Sequence, residues 1–192
     1  MTAGIDRRAT TAALLADRHD AGLLVVAGLG APAWDITAAG DHPLNFPLWG
    51  AMGGAAMVGL GLALTRPDRR VLVVTGDGEQ LMGLTALPTI GAAAPSNLAI
   101  AVLDNEHYGE TGGQPTATGS GTDLAAVAAA CGFPTTLRVR EGDDVPAGVD
   151  ACRAAQGPVL VVFKVADDVP DLVVPPRDGP LLVERFRAAL GV

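Results

Sequence analysis

Short apolar runs recur along the chain at residues 23–27, 71–75, 98–103, 136–139 and 159–165, most of them rich in Val, Leu and Ile. They lack the polar alternation of a strand with one wet face, so they fit strands buried on both faces of a parallel sheet. Between them lie longer stretches of helical character at residues 7–19, 49–64, 81–93, 124–131 and 146–155, with a last one at 180–190. Strand and helix alternate, which predicts right-handed crossovers and helices on both sides of the sheet. The expected fold is a single three-layer α/β domain with a mostly parallel central sheet. Residues 1–168 form its body, and residues 169–192 add a proline-rich extended tether and a closing helix of the same domain.

Composition narrows the function classes. Apolar residues make up 49% of the 192, charged residues 18% and aromatic residues 4%, a profile of tight packing rather than disorder. Thirteen basic against 21 acidic side chains leave a net charge of −8 with no Lys/Arg cluster. Nucleic acid and anionic membranes are therefore poor partners. Residues 43–65 carry no charge, but Asn45 and Pro47 interrupt their start and five glycines follow between Gly50 and Gly61. What remains is shorter than the ~20 apolar residues of a spanning helix, so a buried helix packed through small residues is expected. Cys131 and Cys152 form no C-x-x-C pair, which points to free thiols in a reducing cytoplasm rather than to a zinc or iron–sulfur site. Residues 1–8 hold no apolar signal core.

In open parallel sheets ligands bind beyond the carboxyl ends of the strands, so the loops that follow the apolar runs carry the chemistry. The second run ends in Thr75-Gly76-Asp77-Gly78-Glu79. Glycines there let the backbone turn and approach a ligand closely, and the carboxylate between them suits a hard cation. The third run ends in Leu103-Asp104-Asn105-Glu106-His107-Tyr108-Gly109. One crossover separates Asp77 from Asn105, so both are expected at the same sheet edge. There a carboxylate, an amide oxygen and a backbone carbonyl share one Mg²⁺, with phosphate oxygens and water completing the shell.

Gly-Asp-Gly after an apolar strand, followed at this distance by Asn105, resembles the thiamine-diphosphate-binding motif. The resemblance implies that thiamine diphosphate and Mg²⁺ are the cofactors, with Asp77, Asn105 and the His107 carbonyl as metal ligands. Asp104 stands where the family often has a first asparagine. Trp49-Gly50-Ala51-Met52-Gly53-Gly54 is similar to the segment in which a bulky apolar side chain, here Met52, supports the bent cofactor, with Gly50 in close contact. Gly76, Gly78 and the amides of Glu79 and Gln80 are placed by the same resemblance at the diphosphate. The run from Leu103 through Tyr108-Gly109-Glu110-Thr111-Gly112-Gly113-Gln114-Pro115-Thr116 is similar to the post-motif loop of sulfopyruvate and phosphonopyruvate decarboxylases. It puts Thr111, Gly112 and Gln114 at the substrate end and His107 and Tyr108 at the mouth, as candidate proton donors.

Enzymes of this kind also need a pyrimidine-side glutamate, and Glu79, Glu106 and Glu110 all fall on the diphosphate side. The expectation is a diphosphate-side β-type subunit that completes its site with a pyrimidine-side α-type partner, as α₂β₂, and decarboxylates a small 2-oxo acid. A carboligase of the acetolactate-synthase kind or a non-catalytic cofactor-binding module are the alternatives. A sulfonate or phosphonate on the substrate requires a cationic pocket. Arg69, Arg70, Arg138 and Arg140 read as surface charges, which assigns that pocket to the partner. Gly28-Leu29-Gly30-Ala31-Pro32-Ala33 mimics a dinucleotide fingerprint, but Pro32 argues against NAD. His19 and His42 read as surface or loop residues, His42 on the way to Met52.

Overall fold

The computed structural model describes residues 4–18 and 22–192; His19 lies outside them. Six strands form one sheet in the order β2-β1-β3-β4-β8-β7. They are β1 (Leu24–Ala27), β2 (Asn45–Pro47), β3 (Val71–Gly76), β4 (Leu98–Asp104), β7 (Thr135–Val139) and β8 (Val159–Lys164). Every neighbouring pair is parallel. A small antiparallel hairpin of β5 (His107–Tyr108) and β6 (Gln114–Pro115) stands beyond the end of β4. β1 and β4 are buried along their whole length, as unalternating apolar runs require.

Helices cover both faces. α1 (Arg7–Leu14), α2 (Ala31–Ala38) and α7 (Val145–Ala154) lie over a core cluster that includes Leu14, Ile36, Val74, Val149 and Phe163. α3 (Ala55–Thr65), α5 (Ala86–Ala93) and α6 (Leu124–Ala130) lie over the other cluster, with Leu60, Leu87, Ile90 and Leu124. The closing helix α8 (Gly179–Leu190) adds Phe186 to that second cluster, edge-on to Phe46 at 5.4 Å between ring centroids. The expected three-layer α/β architecture is thus present, and its six-stranded sheet is wholly parallel. Among the described residues no helix is long and apolar enough to cross a membrane.

Several local features depart from the sequence expectation. β2 lies in a segment whose Pro43, Asn45 and Pro47 signal a turn; it is tolerated because it is an edge strand, where proline leaves no ladder bond unmade. Residues 31–38, to which the sequence pattern assigns no element, form a helix with proline in its first turn, where a missing N–H costs nothing. The uncharged segment turns helical only from Ala55, because Ala51 (φ 60°) and Gly53 (φ 88°) take left-handed backbone conformations. The stretch expected as one helix at 81–93 is split. α4 (Asp77–Met82) springs directly from β3, and the chain breaks at Gly83, whose backbone lies so close to that of Gly53 that a Cβ on either would strike it. Arg70 is also not a surface charge. Its guanidinium caps the end of α7, donating to the Cys152 and Ala155 carbonyls at 2.6–2.9 Å.

Candidate active site

Parallel strands bring their carboxyl ends to one edge, and one cavity of about 550 Å³ opens there. β3 and β4 are neighbours, with Gly76 opposite Leu103 in register. Asp77, one residue past the end of that pairing, and Asn105, one residue past β4, both line the cavity. So do Gly50, Met52, Gly76, Gly78, Glu79, His107, Tyr108 and Thr111. Gln80 is the exception among the expected residues. It is 2% exposed and its amide turns to the Gly83 carbonyl at 3.4 Å. Because α4 starts at Asp77, the fourth amide, that of Gln80, is the first with an intrahelical carbonyl in reach, so it is one residue too deep to serve a ligand.

Asp77 is 1% exposed. Thr116 Oγ1 donates to its Oδ2 at 2.5 Å and Thr118 Oγ1 at 3.1 Å. Both side-chain bonds fall on one oxygen, which leaves Oδ1 for the cavity. Burial pushes the Asp77 carboxyl above its usual range; the Thr116 bond pulls the other way, and nearby Asp104 adds to the rise. Thr118 Oγ1 is also 2.8 Å from Asp104 Oδ1, so its one hydrogen is shared between the two carboxylates, and Lys164 Nζ pairs with Asp104 Oδ2 at 2.9 Å. Asp104 therefore faces away from the cavity into a Thr–Lys cluster, while Asn105, one residue on, faces into it.

Asn105 is held in a fixed orientation. Its Nδ2 donates to Asp167 Oδ1 at 2.9 Å, and its Oδ1 accepts the His107 amide at 3.2 Å. Glu106 takes a left-handed conformation (φ 66°) between them, which turns the chain into the β5–β6 hairpin. The His107 imidazole rests on the Asn105 carbonyl at 2.9 Å and stands 3.5 Å from Asp167. The Tyr108 ring lies directly over Gly78, where a Cβ would collide with it. Met52 is 42% exposed on the cavity wall and so is not an ordinary core residue. His42 does not line the cavity, and its Nδ1 accepts the Leu44 amide at 3.1 Å.

Glu79 has a role that sequence reading missed. Its carboxylate is 4% exposed and accepts from Leu29 N (3.1 Å), Ala55 N (3.3 Å) and Thr75 Oγ1 (3.0 Å). One carboxylate thus joins the loop after β1, the start of α3 and the end of β3. Burial pushes it up, while those donors pull it down. Gly28 is required beside it, since a Cβ there would sit on Glu79 Oε2.

The mouth also carries residues that the sequence did not single out. Trp34 Nε1 donates to Glu110 Oε1 at 3.1 Å, and Trp34 packs edge-on against Trp49 at 5.5 Å. The extended segment after β8 crosses nearby. Pro176 O accepts from Trp49 Nε1 at 2.8 Å, and Arg177 lies 5.4 Å over the Trp49 ring. Arg7 and Arg8 line the cavity too, brought there by α1.

Comparison with known proteins gives the family. Residues 28–163 match the family described as "Thiamine pyrophosphate enzyme, C-terminal TPP binding domain". The chain is 42% identical over 165 residues to a phosphonopyruvate decarboxylase of Streptomyces viridochromogenes, covering 85% of this chain but only 41% of that protein. It is 39% identical over 163 residues to the sulfopyruvate decarboxylase subunit beta of Methanothermobacter thermautotrophicus, covering 85% of this chain and 84% of that one. In fold it resembles a benzoylformate decarboxylase from Polynucleobacter necessarius, with a TM-score of 0.69 at 18% identity over 86% of this chain and 34% of that one. With a parallel sheet edge that gathers Asp77 and Asn105 on one cavity, and a family match spanning most of its length, this chain belongs to the thiamine pyrophosphate enzymes, as a C-terminal TPP-binding domain.

Proposed function

We propose that this chain is the diphosphate- and Mg²⁺-binding subunit of a two-chain thiamine-diphosphate-dependent decarboxylase of 2-oxo acids, of the sulfopyruvate or phosphonopyruvate type. The observation that carries this reading is the meeting of Asp77 and Asn105 at neighbouring strand ends on one cavity. Their donor set suits the metal: one carboxylate oxygen not engaged by Thr116 or Thr118, one amide oxygen and the His107 carbonyl are hard ligands, and phosphate oxygens fill the rest. Among the described residues no three His, Cys, Asp or Glu side chains converge as a metal cage, and a magnesium shared with a diphosphate needs none.

The cofactor, when bound, supplies the electron sink that lets the bond to the substrate carboxylate break. The chain's own residues do the rest. Asp77, Asn105 and the His107 carbonyl would hold Mg²⁺, with Thr116 and Thr118 fixing the carboxylate and Asp167 fixing the amide. Gly50, Gly76, Gly78 and the Glu79 backbone allow close approach. Met52, on the cavity wall, would support the cofactor there. His107 and Tyr108 stand at the mouth, with Thr111, within reach of a proton to be delivered to product. A pyrimidine-side partner brings the activating glutamate, as α₂β₂. The likeness to a "subunit beta" over 84% of its length supports a partner. So do the exposed apolar side chains Met57 and Leu64 of α3, seven residues apart, and Met82.

The test is co-expression with a pyrimidine-side subunit, followed by a panel of 2-oxo acids with product analysis. Mg²⁺- and thiamine-diphosphate-dependent release of CO₂ and an aldehyde by the pair, with little by the single chain, is the expected result. Robust turnover by the single chain would remove the two-chain reading; carboligation products alone would replace decarboxylase with carboligase.

A further inference from the structure

We infer that Arg7 and Arg8 form the subsite for a second anionic group on the substrate, the group borne by the carbon beyond the keto carbon. The inference rests on the decarboxylase reading for the identity of the substrate. The sequence assigned such a pocket to the partner because no arginine cluster was visible near the strand-end motifs. Folding brings one there. α1 packs against α2, and the bond between Arg7 and Asp35 spans 28 residues.

Asp35 is fully buried and takes both guanidinium groups through their Nε atoms, Arg7 at 2.6 Å and Arg8 at 3.3 Å. Two cations therefore share one anion as their ion-pair partner beside the cavity. The Arg7 side chain is 9% exposed. Among the described residues it makes no side-chain hydrogen bond except that to Asp35. The described buried polar atoms without a partner are Asn45 Nδ2 and Arg185 Nε, so the terminal nitrogens of Arg7 reach open space, and Arg7 lines the cavity. Arg8 is fixed as well, since its Nη2 donates to the Asp171 carbonyl at 2.8 Å. With no acceptor on its terminal nitrogens among the described residues, the Arg7 guanidinium is open to an oxyanion in the cavity, which would take charge-assisted bonds from it. Planar guanidinium groups held by a common carboxylate match the oxygens of a sulfonate or phosphonate. Asp167 and Asp168 also line the cavity, but neither pairs with Arg7 or Arg8, and Asp167 is engaged by Asn105 and His107.

Two sources of an oxyanion exist in this cavity, the substrate's distal group and the cofactor diphosphate, and the test separates them. The subunit pair is assayed with sulfopyruvate, phosphonopyruvate and pyruvate, in wild type and in Arg8→Gln and Arg7→Lys. The lysine keeps a charge for Asp35 and so protects the fold. The expected result is a rise of about tenfold or more in the ratio of KM for the sulfonate or phosphonate acid to KM for pyruvate, the loss of a charge-assisted bond. The cofactor Kd, measured alongside by calorimetry, should move far less. A second readout is binding of sulfoacetate and phosphonoacetate to the cofactor-loaded wild-type pair, weakened in both variants. If the cofactor Kd rises in the variants while the KM ratio holds, the arginines serve the diphosphate and the inference is wrong. If neither the ratio nor sulfoacetate binding changes, the triad is purely structural. If no 2-oxo acid is turned over by wild type, the decarboxylase reading fails, and sulfoacetate binding still decides the subsite.

Discussion

Replacing Glu79 by glutamine changes no volume and removes one charge, so it isolates the role of this carboxylate as a junction. The wild-type group has two acceptor oxygens: Oε2 serves Leu29 N and Thr75 Oγ1, and Oε1 serves Ala55 N. A glutamine keeps one acceptor oxygen and presents an NH₂ on the other side. Whichever way it flips, at least one buried donor meets another donor. A buried donor without an acceptor costs about 1–3 kcal/mol. Relief of carboxylate desolvation offsets part of this, because burial already disfavours the charged form. A net loss of about 1–2 kcal/mol corresponds to a Tm lowered by roughly 2–8 °C in a chain of this size. Thermal unfolding followed by circular dichroism measures it, and hydrogen exchange localises it: the Leu29 and Ala55 amides should lose protection ahead of amides in the centre of β4. Thr75→Val, which removes a single donor, should cost less. An unchanged Tm together with unchanged exchange at Leu29 and Ala55 would show that the three loops are held by packing alone and that the carboxylate is incidental.

Further expectations follow from the same geometry. Asp77→Ala should retain the fold while weakening Mg²⁺-dependent thiamine diphosphate binding by more than about a hundredfold, beyond the usual cost of losing an outer-shell partner; calorimetry with and without Mg²⁺ checks this, and collapse of structure without a metal effect would make the residue architectural. Thr116→Val should weaken the same binding by about tenfold, because the carboxylate loses the donor that orients it. Gly78→Ala forces a Cβ into the Tyr108 ring, and a stability loss of about 1–3 kcal/mol with poorer cofactor binding is expected in denaturant titrations and calorimetry. Cys152 is buried and its thiol is pushed up to about 12, so at pH 8 it is ionised only to about one part in ten thousand. Thiol titration of the native chain should therefore count at most Cys131, with the second thiol appearing on unfolding. Met57→Asp on the exposed face of α3 should reduce recovery of the partner subunit in co-purification while leaving the Tm of the single chain within a few degrees.

The chain's own pattern determined the architecture. Strands buried on both faces must be apolar throughout, and four such runs were legible as β1, β3, β4 and β8; the fifth run does form a strand, β7, but at the sheet edge with Leu137 and Arg138 exposed, so its expected burial on both faces is not met. The edge strand β2 was hidden, because an edge position tolerates the very prolines that signal a turn elsewhere. The helix at Ala31–Ala38 was hidden by a glycine–proline stretch to which the pattern assigns no element, and the break at Gly83 by a contact with Gly53 that no local pattern encodes. Asp77 and Asn105 were legible because each sits at a strand end and parallel strands end on one side. The residues that hold or surround them were not, since their partners are remote in sequence. Thr116 reaches Asp77 across 39 residues, Leu29 reaches Glu79 across 50, and Arg7 reaches Asp35 across 28. Composition and periodicity are local properties and set the layers. Charge compensation, carboxylate orientation and the lining of the cavity depend on which distant side chains share a volume, and only the packed chain decides that.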